Sequence, residues 1–107
     1  MQNLNTFRKI VFSNGESAEL TLQFYALYQI SQKFPELYEN YSKSVGQSDE
    51  VSLLWIIYTG YVCAAVLRGK EFLAFDNFLN LLPENHALLM PLAADLLYGK
   101  KKQAETN

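Results

Sequence analysis

With 107 residues, 50% of them hydrophobic and 19% charged, the chain is long enough for one compact domain and too apolar to be disordered. A net charge of −2 argues against general nucleic-acid binding, because phosphate contacts need clustered cations. A single cysteine forms no internal disulfide, and residues 1–6 lack the basic and apolar regions of a secretory signal; both point to the cytoplasm.

The first predicted element is a β-hairpin over about residues 7–22. Asn14-Gly15 matches the two-residue type I′ turn, in which both central residues take positive φ. Residues 7–12 are rich in strand formers. After the turn, Ala18, Leu20 and Leu22 alternate with Glu19, Thr21 and Gln23, the period-two pattern of a half-buried strand. A two-residue turn pairs Val11 with Ala18, Lys9 with Leu20 and Phe7 with Leu22. That register sends Ile10 and Phe12 to the opposite face, beside Glu19 and Ser17. Either a helix covers that face or a bulge shifts the register, or the two side chains form an apolar contact site on an exposed sheet.

From Phe24 the spacing turns helical. Phe24, Leu27, Tyr28, Ile30 and Phe34 fill a broad apolar arc, with Gln29, Gln32 and Lys33 facing away. Pro35 breaks or restarts the helix, and Leu37, Tyr38 and Tyr41 continue a stripe on the next segment. Val45-Gly46-Gln47-Ser48 reads as a linker. Ser48 is the expected cap of the following helix, with Asp49 and Glu50 at its positive end.

Residues 51–67 carry no charge at all. As a helix they reach roughly 26 Å, just short of a bilayer's hydrocarbon core, so length leaves open a membrane span or a buried central helix. Trp55, Tyr58 and Tyr61 lie at or near the middle of the run, whereas aromatic residues in spanning helices prefer the interfaces, which favours the buried helix. Gly60, with Ala64, calls for close approach of another element, the Phe24 helix or the last helix being the expected partner. Gly69 ends the run.

Two shorter helices follow. One packs through Phe75, Phe78, Leu79 and Leu82 and stops at Pro83. In the other, Leu88, Leu89, Leu92, Ala93, Leu96 and Leu97 form an apolar face. Pro91 implies a kink or a helix start there. Gly99 suits the C-terminal cap, Lys100-Lys101-Lys102 complements the negative helix end, and residues 103–107 are expected to fray. The fold class is therefore mainly α: a single domain over residues 1–102, with about four to five helices preceded by an N-terminal β-hairpin.

Chemistry-bearing groups are sparse. His86 and Cys63 are each unique, so neither a zinc set nor a histidine-based triad is expected. Cys63 reads as a packed thiol and His86 as an exposed or capping residue beside Glu84 and Asn85. No glycine-rich phosphate loop occurs, and Glu71, Asp76, Glu84 and Asp95 show no paired spacing. Neither catalysis nor a cofactor is expected. Seven Phe, seven Tyr and one Trp instead supply more rings than a small core needs, and surface rings suit protein partners.

Taken in order, the hairpin turning on Asn14-Gly15, the helix with Phe24, Leu27 and Ile30, and the uncharged helix ending in Leu67-Arg68-Gly69-Lys70 form a familiar series. After them come Phe75-Asp76-Asn77-Phe78-Leu79, Leu81-Leu82-Pro83, and Leu96-Leu97-Tyr98-Gly99 with its three lysines. Over residues 7–102 this series resembles the small tail assembly chaperones of long-tailed bacteriophages of Gram-positive hosts. The resemblance implies a non-catalytic protein of the host cytoplasm, absent from the mature virion. It would coat the tape-measure protein, keep it soluble and help recruit tail-tube subunits. Self-association of many copies and a frameshifted longer form are further implications. Ile10 and Phe12, or Tyr38 and Tyr41, are the candidate contact residues for such a client. A small regulatory or inhibitory adaptor that binds a compact partner one-to-one fits the same absence of catalytic groups.

Overall fold

The computed structural model describes residues 7–99. Among the described residues, two antiparallel strands, β1 (Arg8–Val11) and β2 (Ser17–Leu20), precede five helices, α1 (Phe24–Lys33), α2 (Pro35–Ser44), α3 (Glu50–Arg68), α4 (Phe75–Leu81) and α5 (Leu89–Tyr98), and a 3-10 turn, His86–Leu88, leads into α5. The chain is thus mainly helical with an N-terminal hairpin. The expected fraying of residues 103–107 and the lysine run at 100–102 lie outside the described residues.

The hairpin turn differs from the type I′ expectation. Its loop has three residues, Ser13-Asn14-Gly15. Phe12 N–H donates to the Glu16 carbonyl at 2.7 Å, and Gly15 N–H to the Phe12 carbonyl at 2.9 Å. Only Gly15 takes positive φ, at 91°, while the Asn14 side chain accepts from the Glu16 amide at 3.0 Å. This is a turn closed by a glycine bulge, for which Asn-Gly serves as well as for the two-residue loop. The extra residue moves the register by one, pairing Ile10 with Ala18 and Arg8 with Leu20. Because side chains alternate between faces, the shift places Ile10, Phe12, Ala18 and Leu20 on one side and removes the conflict of a two-faced apolar hairpin.

That unified face packs on α3. The Thr21 amide donates to the Gly60 carbonyl at 3.0 Å, and the Ser13 amide to the Leu81 carbonyl at 2.7 Å, so both ends of the hairpin are tied to helices. Arg8 pairs with Asp95 of α5, and Arg68 grips Glu19 through two hydrogen bonds of 2.8 and 3.0 Å while lying over the Phe7 ring.

α3 is the axis around which the rest is built. Asp49, not Ser48, caps it, accepting from the Ser52 amide, and Gly69 closes it in the left-handed conformation. By length and composition α3 could cross a membrane, yet 61% of its most apolar stretch is buried inside this fold, including every residue from Ile56 to Ala65. Its central rings are what a core helix of this kind requires. The Tyr58 hydroxyl donates to the Leu73 carbonyl and the Tyr61 hydroxyl accepts from the Leu73 amide, each at 2.8 Å. Both polar groups of one residue in the irregular stretch 69–74 are thereby satisfied from a single helix face. Tyr61 stacks on Phe78 at 4.7 Å, and Phe78 meets Phe12 edge-on at 5.8 Å. Such pairs contribute about 0.5–1.5 kcal/mol each beyond the area they bury.

Gly60 is approached by α5 and also by the β2 exit, which the sequence reading did not foresee. A Cβ there would meet Leu96 Cδ1 at 3.3 Å, the Thr21 carbonyl at 3.5 Å and Leu20 Cβ at 3.6 Å. Pro35 opens α2, and Pro91 sits in the first turn of α5, where a missing N–H costs nothing.

Candidate functional surface: an uncharged aromatic helix face

The sequence-derived contact residues fare differently. Ile10 and Phe12 are only 5% and 7% exposed and belong to the core, which corrects their assignment as a contact site: the register shift and α3 together cover them. Tyr38 stays at the surface. Tyr41, with its ring 6.0 Å from that of Tyr38, is half-buried, and burial pushes its hydroxyl pKa up to about 12.

A group of three exposed rings lies elsewhere, on α1. Phe24 is 90% exposed, Tyr25 63% and Tyr28 58%. Helical spacing places all three on one side, since residues three and four apart are neighbours, while Ala26 and Ile30 on the other side are fully buried. Phe24 and Tyr28 therefore leave the buried arc assigned to them, and Leu27, Ile30 and Phe34 keep it. The outward face continues through Ser31 and Gln32, and α1 has no charged residue before Lys33. In a chain with 19% charged residues, an exposed uncharged helix face carrying three rings is unusual.

The cause is local. Gln23 supplies no side-chain cap to α1, and the β2 exit is held by the bond from Thr21 to Gly60. The chain turns outward there, so α1 meets the core through Ala26, Leu27 and Ile30, and Phe24 projects at its first position. Two signals in the sequence could have revealed this. Apolar residues at 24, 25, 27, 28 and 30 surround the helix rather than forming a stripe, and the absence of charge leaves no other residue to form a solvated face.

Groups able to do chemistry are held inert or dispersed. Burial pushes the Cys63 thiol up to about 12. His86 Nδ1 lies 2.5 Å from a Glu50 carboxylate oxygen, which raises its pKa, and both side chains are exposed. Among the described residues no three His, Cys, Asp or Glu are grouped to hold a metal ion. No protein-family model, curated protein or solved structure matches the chain.

Proposed function

We propose that this chain is a non-catalytic chaperone that holds an apolar helical client through the outward face of α1, in the manner of the phage tail assembly chaperones its sequence resembles. The observation that carries the reading is the exposure of Phe24, Tyr25 and Tyr28 on one uncharged helix face. Large rigid rings bury much area at little conformational cost, and a face without charge accepts an apolar helix without stranding a desolvated ion. Three rings make a patch too small for a lasting one-to-one complex, which needs roughly 1,200–2,000 Å² of total buried surface. It suits a long client bound by many copies, each weakly, with the sum supplying the affinity. In this reading the client is the tape-measure protein, the tail-tube protein follows, copies of the chain lie side by side, and the host cytoplasm is the setting.

Pull-down of the tagged chain from its native host during phage production, with mass spectrometry of the bound fraction, tests this. The expected result is a very long helix-rich partner accompanied by tail-tube subunit, lost with Phe24→Ser plus Tyr28→Ser. A single compact protein at equal stoichiometry would overturn it.

A further inference from the structure

The outer edge of β2 is a second surface, separate from the α1 rings. The Phe12 amide bonds the Glu16 carbonyl, which in this register makes Ile10–Ala18 and Arg8–Leu20 bonded pairs as well. Bonded and non-bonded pairs alternate along an antiparallel ladder, so the N–H and C=O groups of Ser17 and Glu19 point away from β1. Thr21, next in that series, gives its N–H to the Gly60 carbonyl of α3. Beyond that bond opens a cleft of about 290 Å³, lined by Ser17 and Glu19 of β2, by the C-terminal part of α3 and by the irregular stretch after it. We infer that this cleft binds an extended segment of a partner protein, which joins β2 as an added strand.

The occupant follows from what the cleft offers. Ser17 and Glu19 present two N–H donors and two C=O acceptors at the strand repeat, and none of these has a main-chain partner among the described residues. Another extended chain supplies matching acceptors and donors at that spacing, whereas a helix spends its own main-chain groups internally. The charged residues of the lining are mixed in sign, Glu16, Glu19 and Glu71 against Arg68 and Lys70, and Arg68 is already held by Glu19, so neither an anion nor a cation is favoured. Phe12, Tyr61, Leu73 and Leu81 also line the cleft and give an apolar side chain of the added strand a place to lie. Main-chain bonds then supply the hold and this apolar lining the selection, the usual division of labour in strand addition. Lys9 and Val11, the outward residues of β1, do not line the cleft, so the two edges of the hairpin are not equivalent.

The intact, isotope-labelled protein is titrated by NMR with the capped peptide acetyl-Thr-Thr-Leu-Thr-Thr-amide. The comparison peptides are the same sequence N-methylated at every residue and the same sequence with glycine in place of leucine. Saturable shifts of the Ser17 and Glu19 amide resonances are expected, with exchange of both amides with solvent slowed by about fivefold or more. N-methylation removes the peptide's donors and should weaken binding by about tenfold or more. Loss of the leucine side chain should weaken it by about fivefold. Ser17→Pro deletes one outward N–H at the first residue of β2, where proline is tolerated, and with an unchanged circular-dichroism spectrum should weaken binding by about threefold. Equal binding of the plain and N-methylated peptides, shifts confined to Lys9 and Val11 or to α1, or no saturable shift at about 5 mM peptide would overturn the inference. The peptide comparison needs no variant, so the test holds even if Ser17→Pro is poorly folded.

Discussion

The amide of Thr21 donates to the carbonyl of Gly60 at 3.0 Å, so the β2 strand runs out onto the backbone of the central helix. A glycine inside a helix costs about 1 kcal/mol relative to alanine, and here it allows that backbone contact. Gly60→Ala regains helix propensity but brings a methyl group to 3.3 Å from Leu96 Cδ1, the far end of a flexible side chain that can give way. The two effects oppose, and urea unfolding should place Gly60→Ala within about 1 kcal/mol of the parent. Gly60→Val has no such outlet, because its further methyl groups are forced toward the Thr21 carbonyl and Leu20. A loss of about 2–3 kcal/mol is expected from overpacking.

The two candidate contact surfaces separate under mutation. Ile10→Asp plus Phe12→Asp buries two carboxylates in the core, the one at position 12 against Tyr61 and Phe78, and the fold should be lost outright, read as disappearance of the helical circular-dichroism signal. Phe24→Ser plus Tyr28→Ser changes groups that face solvent. It should leave the unfolding midpoint nearly unchanged, within about 0.5 kcal/mol per site, while abolishing client retention. Retained helicity in the first variant would show that the hairpin face is dispensable, contrary to the packing seen.

The helices were legible because breakers separate them: Pro35 at the start of α2, Gly69 after α3 and Gly99 after α5 mark boundaries through backbone stereochemistry alone. The hairpin was legible as an element but not in register, since Asn14-Gly15 is compatible with two loop lengths and only packing against α3 selects one. The cap was misjudged by one residue for a similar reason, as Ser48 and Asp49 are both good caps and the carboxylate reaches the Ser52 amide at 3.1 Å. The α1 face was hidden because apolar periodicity counts a tyrosine the same whether it lies inside or outside. Which side of α1 meets α3 is decided by the β2 exit, a tertiary contact with no local signature.

Cys63 lies fully buried among apolar neighbours on α3, and desolvation pushes its thiol up to about 12, far above the ordinary cysteine range near 8.5. Thiolate is the reactive form, so the native protein should resist alkylation by iodoacetamide at about pH 8 and be modified promptly once guanidinium unfolds it. In the absence of denaturant, the labelling rate should follow the rate or population of global opening and rise in step with destabilising variants such as Gly60→Val. Rapid labelling of the folded protein would mean that α3 opens locally around Cys63.

His86 and Glu50 join the turn before α5 to the first residue of α3, and their pairing gives the fold a small pH dependence with a definite sign. The hydrogen bond to Glu50 is the main cause that raises the His86 pKa, with the charge of Glu50 and then of Glu84 adding to it. A folded-state pKa above the unfolded value means that the stabilisation is fully present below the ordinary histidine pKa of about 6.5 and is lost as pH rises through the folded value. His86→Gln keeps Glu50 in the first turn of α3, where it complements the helix dipole, and removes only the titrating partner. Thermal unfolding should therefore show the parent more stable than His86→Gln at about pH 5.5, with the gap closing by about pH 8.5. Both side chains are solvent-exposed, so the gap should be modest and should shrink further with added salt. A gap that widened toward alkaline pH would mean that the neutral imidazole, rather than the imidazolium, is the form the fold prefers.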